Sequence, residues 1–266
     1  MTPSASHRGR GPLAEYLSAR RSRVRPEQHD FVRGGQRQVP GLRRDEVAIL
    51  ADISTDYYTR LEQGRERRPS RKVTVGIGRA LALDEEEVQY LLRLASLDEP
   101  EPRPATPPNL SHTQHMLDAL HVPALLSGAT DIVASNKQAD ALFESLHPRD
   151  NLVHMVFGSP AAKDFFLDWS ELAVKAVGCL RMFADHYVKI AELADHLMHE
   201  DEDFARLWAE HDVGRDFSMS MRVRHPKVGE ICLAQQILDI PGVDDNVVLI
   251  FSPADAPTAE AVAELT

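Results

Sequence analysis

Residues 98–109, DEPEPRPATPPN, constrain the chain more than any other stretch. Five prolines in these twelve positions remove backbone donors and fix φ, so neither a helix nor a central strand can run through them. The segment is predicted to be a stiff, extended linker between two independently folding parts, residues 12–97 and 110–266. With 266 residues, 43% of them hydrophobic, the chain can supply a core on each side.

Charge divides along nearly the same line. Residues 1–83 carry 17 Lys and Arg against 9 Asp and Glu, a net +8, whereas residues 84–266 carry 13 against 32, a net −19. A basic module tethered to an acidic one can hold a polyanion at one end only, which suits a modular regulator better than a uniform enzyme shell.

The first part reads as five helices. Leu13, Tyr16 and Leu17 mark one at 12–23; segments 43–51, 54–63, 70–83 and 85–97 each carry apolar residues three and four apart. Ser54, Ser70 and Asp84 are predicted N-caps. Val73, Ile77, Ala80 and Leu81, and then Val88, Leu91, Leu92 and Ala95, are core faces. Gly76 and Gly78 indicate close helix packing.

Beyond the linker, a helix is predicted at 111–120 and short strands at 122–126 and 131–135, with Asn136 capping a helix through Phe143. Helices follow at 151–157, 160–168, 169–186, 189–199 and 202–210. Within 169–186, Leu172, Val174, Ala176, Val177, Leu180 and Phe183 form a wide apolar face. The period then becomes two: Phe217, Met219, Met221 and Val223 alternate with Ser218, Ser220, Arg222 and Arg224, opening a three-strand meander over 217–225, 230–240 and 247–254. The expected class is two-domain α+β.

The strongest motif is RRDEVAILADISTDYYTRLEQG, residues 43–64. Small Ala48 and Ala51 let two helices meet closely across Asp52-Ile53-Ser54, and Ile53 plugs the angle. This is a helix-turn-helix. Its second helix is expected to enter a DNA major groove with Thr55, Asp56, Thr59 and Arg60 outward and Tyr58 and Leu61 inward. Asp56 must accept from a cytosine amino group or be offset by Arg60. Arg37, Arg43 and Arg44 before the pair, and Arg65, Arg67, Arg68, Arg71 and Lys72 after it, are candidates for phosphate contacts.

Residues 41–64 with RRPS at 67–70 resemble the xenobiotic-response-element type of helix-turn-helix regulator, whose DNA-binding part has a lambda-repressor-like fold. NLV at 151–153, FARLWAEHDV at 204–213 and HPKVGEICL at 225–233 resemble the MmyB-like, PAS-like ligand-binding domain found in one branch of those regulators. The resemblance implies Thr55, Asp56 and Arg60 at base edges, Tyr57 and Thr59 toward the backbone, and Glu62 holding the helix pair. It also implies a homodimer on operator DNA and a small apolar ligand, with fatty acids as the expected class. The sequence departs from the pattern at Asp52, where glycine is usual in the turn. It departs again at Ser135, where tryptophan commonly precedes Asn136, and at Gly128-Ala129, near which an arginine often lies; both changes alter the expected pocket.

Phe183, Phe217, Met219 and Met221 are the candidate pocket residues. The same composition fits a packed core serving dimerisation or a protein partner, and a non-DNA-binding interaction protein is the competing class. Catalysis has little support: no G-x-S-x-G elbow, phosphate loop or Rossmann glycine pattern occurs. His112 with His115, and His196 with His199, lack a third ligand, so neither metal nor required cofactor is expected. His211 and His225 are expected to be structural. Cys179 and Cys232 form no CxxC, which fits a reducing cytoplasm and leaves one long-range disulfide open. Met1–Arg10 lacks the apolar run of a signal peptide, and no stretch has the length of a membrane span.

Overall fold

The computed structural model describes residues 11–29, 41–95, 110–184, 187–214, 219–239 and 246–265. Two compact units divide the chain, Met1–Glu101 and Pro102–Thr266. The linker expected at 98–109, as well as Arg37 and Phe217, lies outside the described residues.

The first unit is built from α1 (Pro12–Arg23), α2 (Arg44–Leu50), α3 (Thr55–Glu62), α4 (Arg71–Ala80) and α5 (Glu85–Ala95). Local chemistry sets the boundaries. Ser54 Oγ accepts from Tyr57 N–H at 3.1 Å and Ser70 Oγ from Val73 N–H at 3.4 Å; Asp84 and Glu87 close a reciprocal capping box at 2.8 and 2.9 Å. Leu17, Val47, Tyr58, Leu61, Ile77, Leu81 and Leu91 meet in the core, and Tyr16 sets its ring edge-on to Tyr90 at 5.1 Å. A Cβ on Gly76 would stand 3.0 Å from the Ala51 carbonyl oxygen, so this glycine lets α4 lie against the end of α2. Asp52 takes the left-handed conformation, φ 55°, that the turn demands.

The second unit opens with α6 (Leu110–Ala119), β1 (Ala124–Gly128), β2 (Asp131–Ser135) and α7 (Lys137–Leu142). A π turn at His154–Gly158, α8 (Ala162–Phe165), α9 (Trp169–Ala184), α10 (Val188–Glu200) and α11 (Glu202–Ala209) follow. The chain then returns through β3 (Met219–His225), β4 (Gly229–Asp239), β5 (Asn246–Pro253) and α12 (Ala256–Glu264). The expected meander β3-β4-β5 joins the two early strands in one antiparallel sheet of order β2-β1-β5-β4-β3.

Strand alternation gives this sheet two apolar faces. Leu125, Leu233, Leu249, Phe251, Met221 and Val223 turn toward the helices between β2 and β3 and share their core. Ala124, Leu126 and Val248 face the other way, against Leu117 of α6. Both outer edges are covered in part by chain from the helical block: Asp131 bridges Asn151 beside β2, and Phe166 bridges Val223 beside β3, where Leu167 N–H donates to the Arg222 carbonyl at 2.9 Å.

That second bridge explains why the helix expected over 160–168 is only Ala162–Phe165: Phe166 and Leu167 leave it to pair with β3. Residues 151–157 similarly give the π turn in place of a regular helix. Val174, assigned from sequence to the apolar face of the long helix, is exposed. The sequence reading ends its elements at 254, whereas Asp255 caps α12 by accepting from Thr258 N–H at 2.8 Å.

Candidate functional site

Helix α3 divides cleanly by burial. Tyr58, Leu61 and Glu62 are buried, while Thr55, Asp56 and Arg60 are exposed and Tyr57 and Thr59 partly so. Gln63, one residue past the helix, is also exposed; it follows Asp56 by seven residues and so falls on the same stripe, a position that sequence reading passed over. Burial, the largest influence, and the Glu66 carboxylate raise the Tyr57 hydroxyl above its ordinary pKa against the pull of Arg60, so it remains a neutral donor. A neutral hydroxyl at this rim suits a phosphate oxygen.

Glu62 is 0% exposed and holds the helix pair from beneath. It accepts from Arg21 Nε and, at 2.7 Å, from Arg44 Nε, while Arg21 Nη1 reaches the Leu42 carbonyl at 2.8 Å. Burial, the largest single influence, lowers the Arg21 pKa, but the bond to Glu62, its charge and Tyr58 together outweigh it and the net direction is up. Tyr58 lies beside this web, its hydroxyl pushed well above the ordinary value by burial and by Glu62. Arg44 bonds Glu62 through its Nε, with 42% of the side chain exposed.

The remaining basic candidates lie at the surface. Arg43 pairs with Asp45 at 3.1 Å, Arg60 approaches Glu66 at 3.8 Å, and Arg67 Nε donates to the Gly64 carbonyl at 3.3 Å. Arg65 and Arg68 are exposed. Arg71 and Lys72 line an open cleft with Arg79 between the helix-turn-helix and α4, which adds Arg79 to the cations flanking the recognition stripe.

The second unit contains an apolar cavity of about 140 Å³ between the inward face of the sheet and α9. Leu180 and Phe183 form part of its helical wall; Met221, Gln235, Leu249 and Ser127 form part of its sheet wall. This compares with the ~150 Å³ apolar cavities that admit a molecule the size of benzene and lies below the ~300 Å³ at which ligand pockets begin. Of the candidate pocket residues, Phe183 and Met221 line the cavity, and Met219 is buried in the core without reaching the wall. Arg222 and Arg224 point away, paired with Asp168 and Glu230, each at 2.8 Å.

A family model described as the MmyB-like transcription regulator ligand binding domain matches residues 111–265, more than half of the chain. The chain belongs to this family of regulators. A helix-turn-helix domain model matches residues 12–91, so this is a DNA-binding transcription regulator with a ligand-binding domain. A search of curated proteins found no match.

Two changed positions in this regulator have specific surroundings. Ser135 Oγ bonds Asp140 at 2.7 Å, and Ala129 lies in the cavity wall. His225 is buried: its Nε2 lies 3.1 Å from the Ala141 carbonyl and its Nδ1 accepts from Lys227 N–H at 3.2 Å, an arrangement that defines one neutral tautomer. His211 Nδ1 lies 3.3 Å from Arg181, whose guanidinium stacks over Trp208. His196 pairs with Glu200 at 3.2 Å. Among the described residues no three His, Cys, Asp or Glu side chains gather as a metal site, both cysteines are free thiols, and no helix is long and apolar enough to cross a membrane.

Proposed function

We propose that this regulator works in the cytoplasm as a homodimer that reads an operator through α3 and adjusts its DNA affinity to a small apolar ligand. The observation that carries the reading is the partition of residues 55–63, a polar outward stripe flanked by arginines over a buried Glu62 anchor. Thr55, Asp56, Arg60 and Gln63 are assigned to base edges. Arg43, Arg44, Tyr57, Thr59, Arg65, Arg67, Arg68, Arg71 and Lys72 are assigned to phosphates. A single five-helix unit covers little DNA, so two copies on half-sites a helical turn or a multiple of it apart fit the module best.

The cavity between the sheet and α9 supports a ligand over a solid scaffold. A fatty acyl chain is the proposed ligand type, since each methylene transferred into such a lining gains ~0.8 kcal/mol before ordering losses. We assign the chain no catalytic role and no required cofactor.

The test uses full-length protein and DNA recovered by binding-site selection. Arg60→Ala is expected to weaken the selected site by about 5- to 100-fold, the equivalent of ~1–3 kcal/mol, and to leave random DNA little changed. Arg68→Ala should weaken both and lower the salt slope by about one. Equal losses on both DNAs for Arg60→Ala would reject its base contact. Sedimentation of the complex should find two copies per site, and one copy would overturn the dimer. Lipid extracted from the purified protein should shift operator affinity; uptake without a shift would leave a binding site but no regulation.

A further inference from the structure

We infer that the cavity selects a neutral molecule bearing a hydrogen-bonding oxygen, such as an alcohol, ketone or ester, over the carboxylate of a free fatty acid. This refines the ligand reading above and rests on it.

None of the described residues lining the cavity is charged. The cations on and beside its framing elements are directed elsewhere. Lys175 of α9 approaches Glu171 at 3.8 Å. Arg149, in a cleft that shares Leu125, Phe143 and Met155 with the cavity, pairs with Asp140 at 3.3 Å. Arg181, in α9 immediately after the lining residue Leu180, is buried against Trp208 and His211. Arg222 and Arg224 stand on the outward positions of β3 and pair with Asp168 and Glu230. Neither β1, β4 nor β5 contains a lysine or arginine. An ionised carboxylate brought into such a lining loses its water without gaining a cation, so it must take up a proton to remain.

The wall nonetheless has polar groups. Ser127 is 0% exposed, and its Oγ has no hydrogen-bond partner among the described residues. It sits on the inward set of β1 with Leu125 and lines the cavity. Gln235, 5% exposed, occupies an inward position on β4 opposite Phe251. A buried hydroxyl left unpaired is costly, and a ligand oxygen can satisfy it as either donor or acceptor. The sheet thus offers neutral dipoles where a carboxylate binder needs a guanidinium or ammonium. The Gly128-Ala129 step beside Ser127 introduces no cation.

The direct test is calorimetric titration of the full-length protein with 1-decanol and with decanoate, which share chain length and differ in the head group. At pH 8 the alcohol should bind at least tenfold more tightly. Decanoate should gain about tenfold in affinity per pH unit lowered between 8 and 6.5, because the neutral acid, its ordinary carboxyl pKa lying well below this range, grows in that proportion. Ser127→Ala should weaken decanol severalfold while leaving the thermal midpoint in place. Decanoate equal to or tighter than decanol at pH 8, without pH dependence, would overturn the neutral-head inference and leave the ligand reading standing. If neither probe binds, both fall.

Discussion

Asn136→Ala is expected to cost the second unit about 4 kcal/mol, because one side chain serves four backbone groups. Asn136 is 1% exposed. Its Oδ1 accepts from Ala124 N–H at 3.0 Å and from Ala139 N–H at 2.9 Å; its Nδ2 donates to the carbonyls of Leu117 at 3.1 Å and Val122 at 2.9 Å. Those partners belong to α6, its following loop, β1 and α7, so the asparagine ties the entry of the unit together. Alanine strands two buried N–H groups, one of them the Ala139 N–H that Asn136 caps, at ~1–3 kcal/mol each. Both tryptophans of the chain, Trp169 and Trp208, lie in this unit, so their fluorescence reports its unfolding alone. The urea midpoint should fall by roughly 2 M at an m-value of ~2 kcal/mol/M. A fall of under about 0.5 M, roughly 1 kcal/mol on the same m-value, would show that water replaces the side chain at little cost.

The second large effect belongs to the first unit. Glu62→Ala leaves Arg21, whose side chain is only 13% exposed, facing a buried gap. Breaking a buried ion pair costs ~3–5 kcal/mol; the exposure of Arg44 places this case near 3. At ~4–8 °C per kcal/mol for a unit of this size, its melting temperature should drop by more than about 10 °C. Arg44→Ala should cost under about 1 kcal/mol, since Arg21 still neutralises the carboxylate. Calorimetry separates the outcomes: equal small losses in the two variants would remove Glu62 from its anchoring role. Operator binding should fail with Glu62→Ala, because the helix that carries Thr55, Asp56 and Arg60 is held from beneath by this residue.

These two residues also mark how far sequence could be read. Helix spacing, Ser54, Ser70 and Asp84 defined the first unit because each signal acts within a few residues. Glu62 entered only by resemblance, since its partner Arg21 lies 41 residues away and no local pattern couples them. Asn136 was legible as a cap, but its bonds to Leu117 and Val122 depend on how α6 and β1 meet. The meander followed from alternation, whereas α8 was cut short by a strand 57 residues beyond Phe166. Phe183 and Met221 were readable as apolar; whether they touched or left a gap was not, because void and core have the same composition.

The strips of helical chain beside β2 and β3 have a further meaning for the molecule in a crowded solution. An open sheet offers its outermost backbone groups to any extended segment that drifts past, including one from another copy. Here Asp131 and Val223 already have bridge partners, the Arg222 carbonyl is taken, and Arg222 and Arg224 add charge along one border. Those stretches of the two borders are thereby closed to strand addition, which favours association through side-chain surfaces that can close a pair and stop.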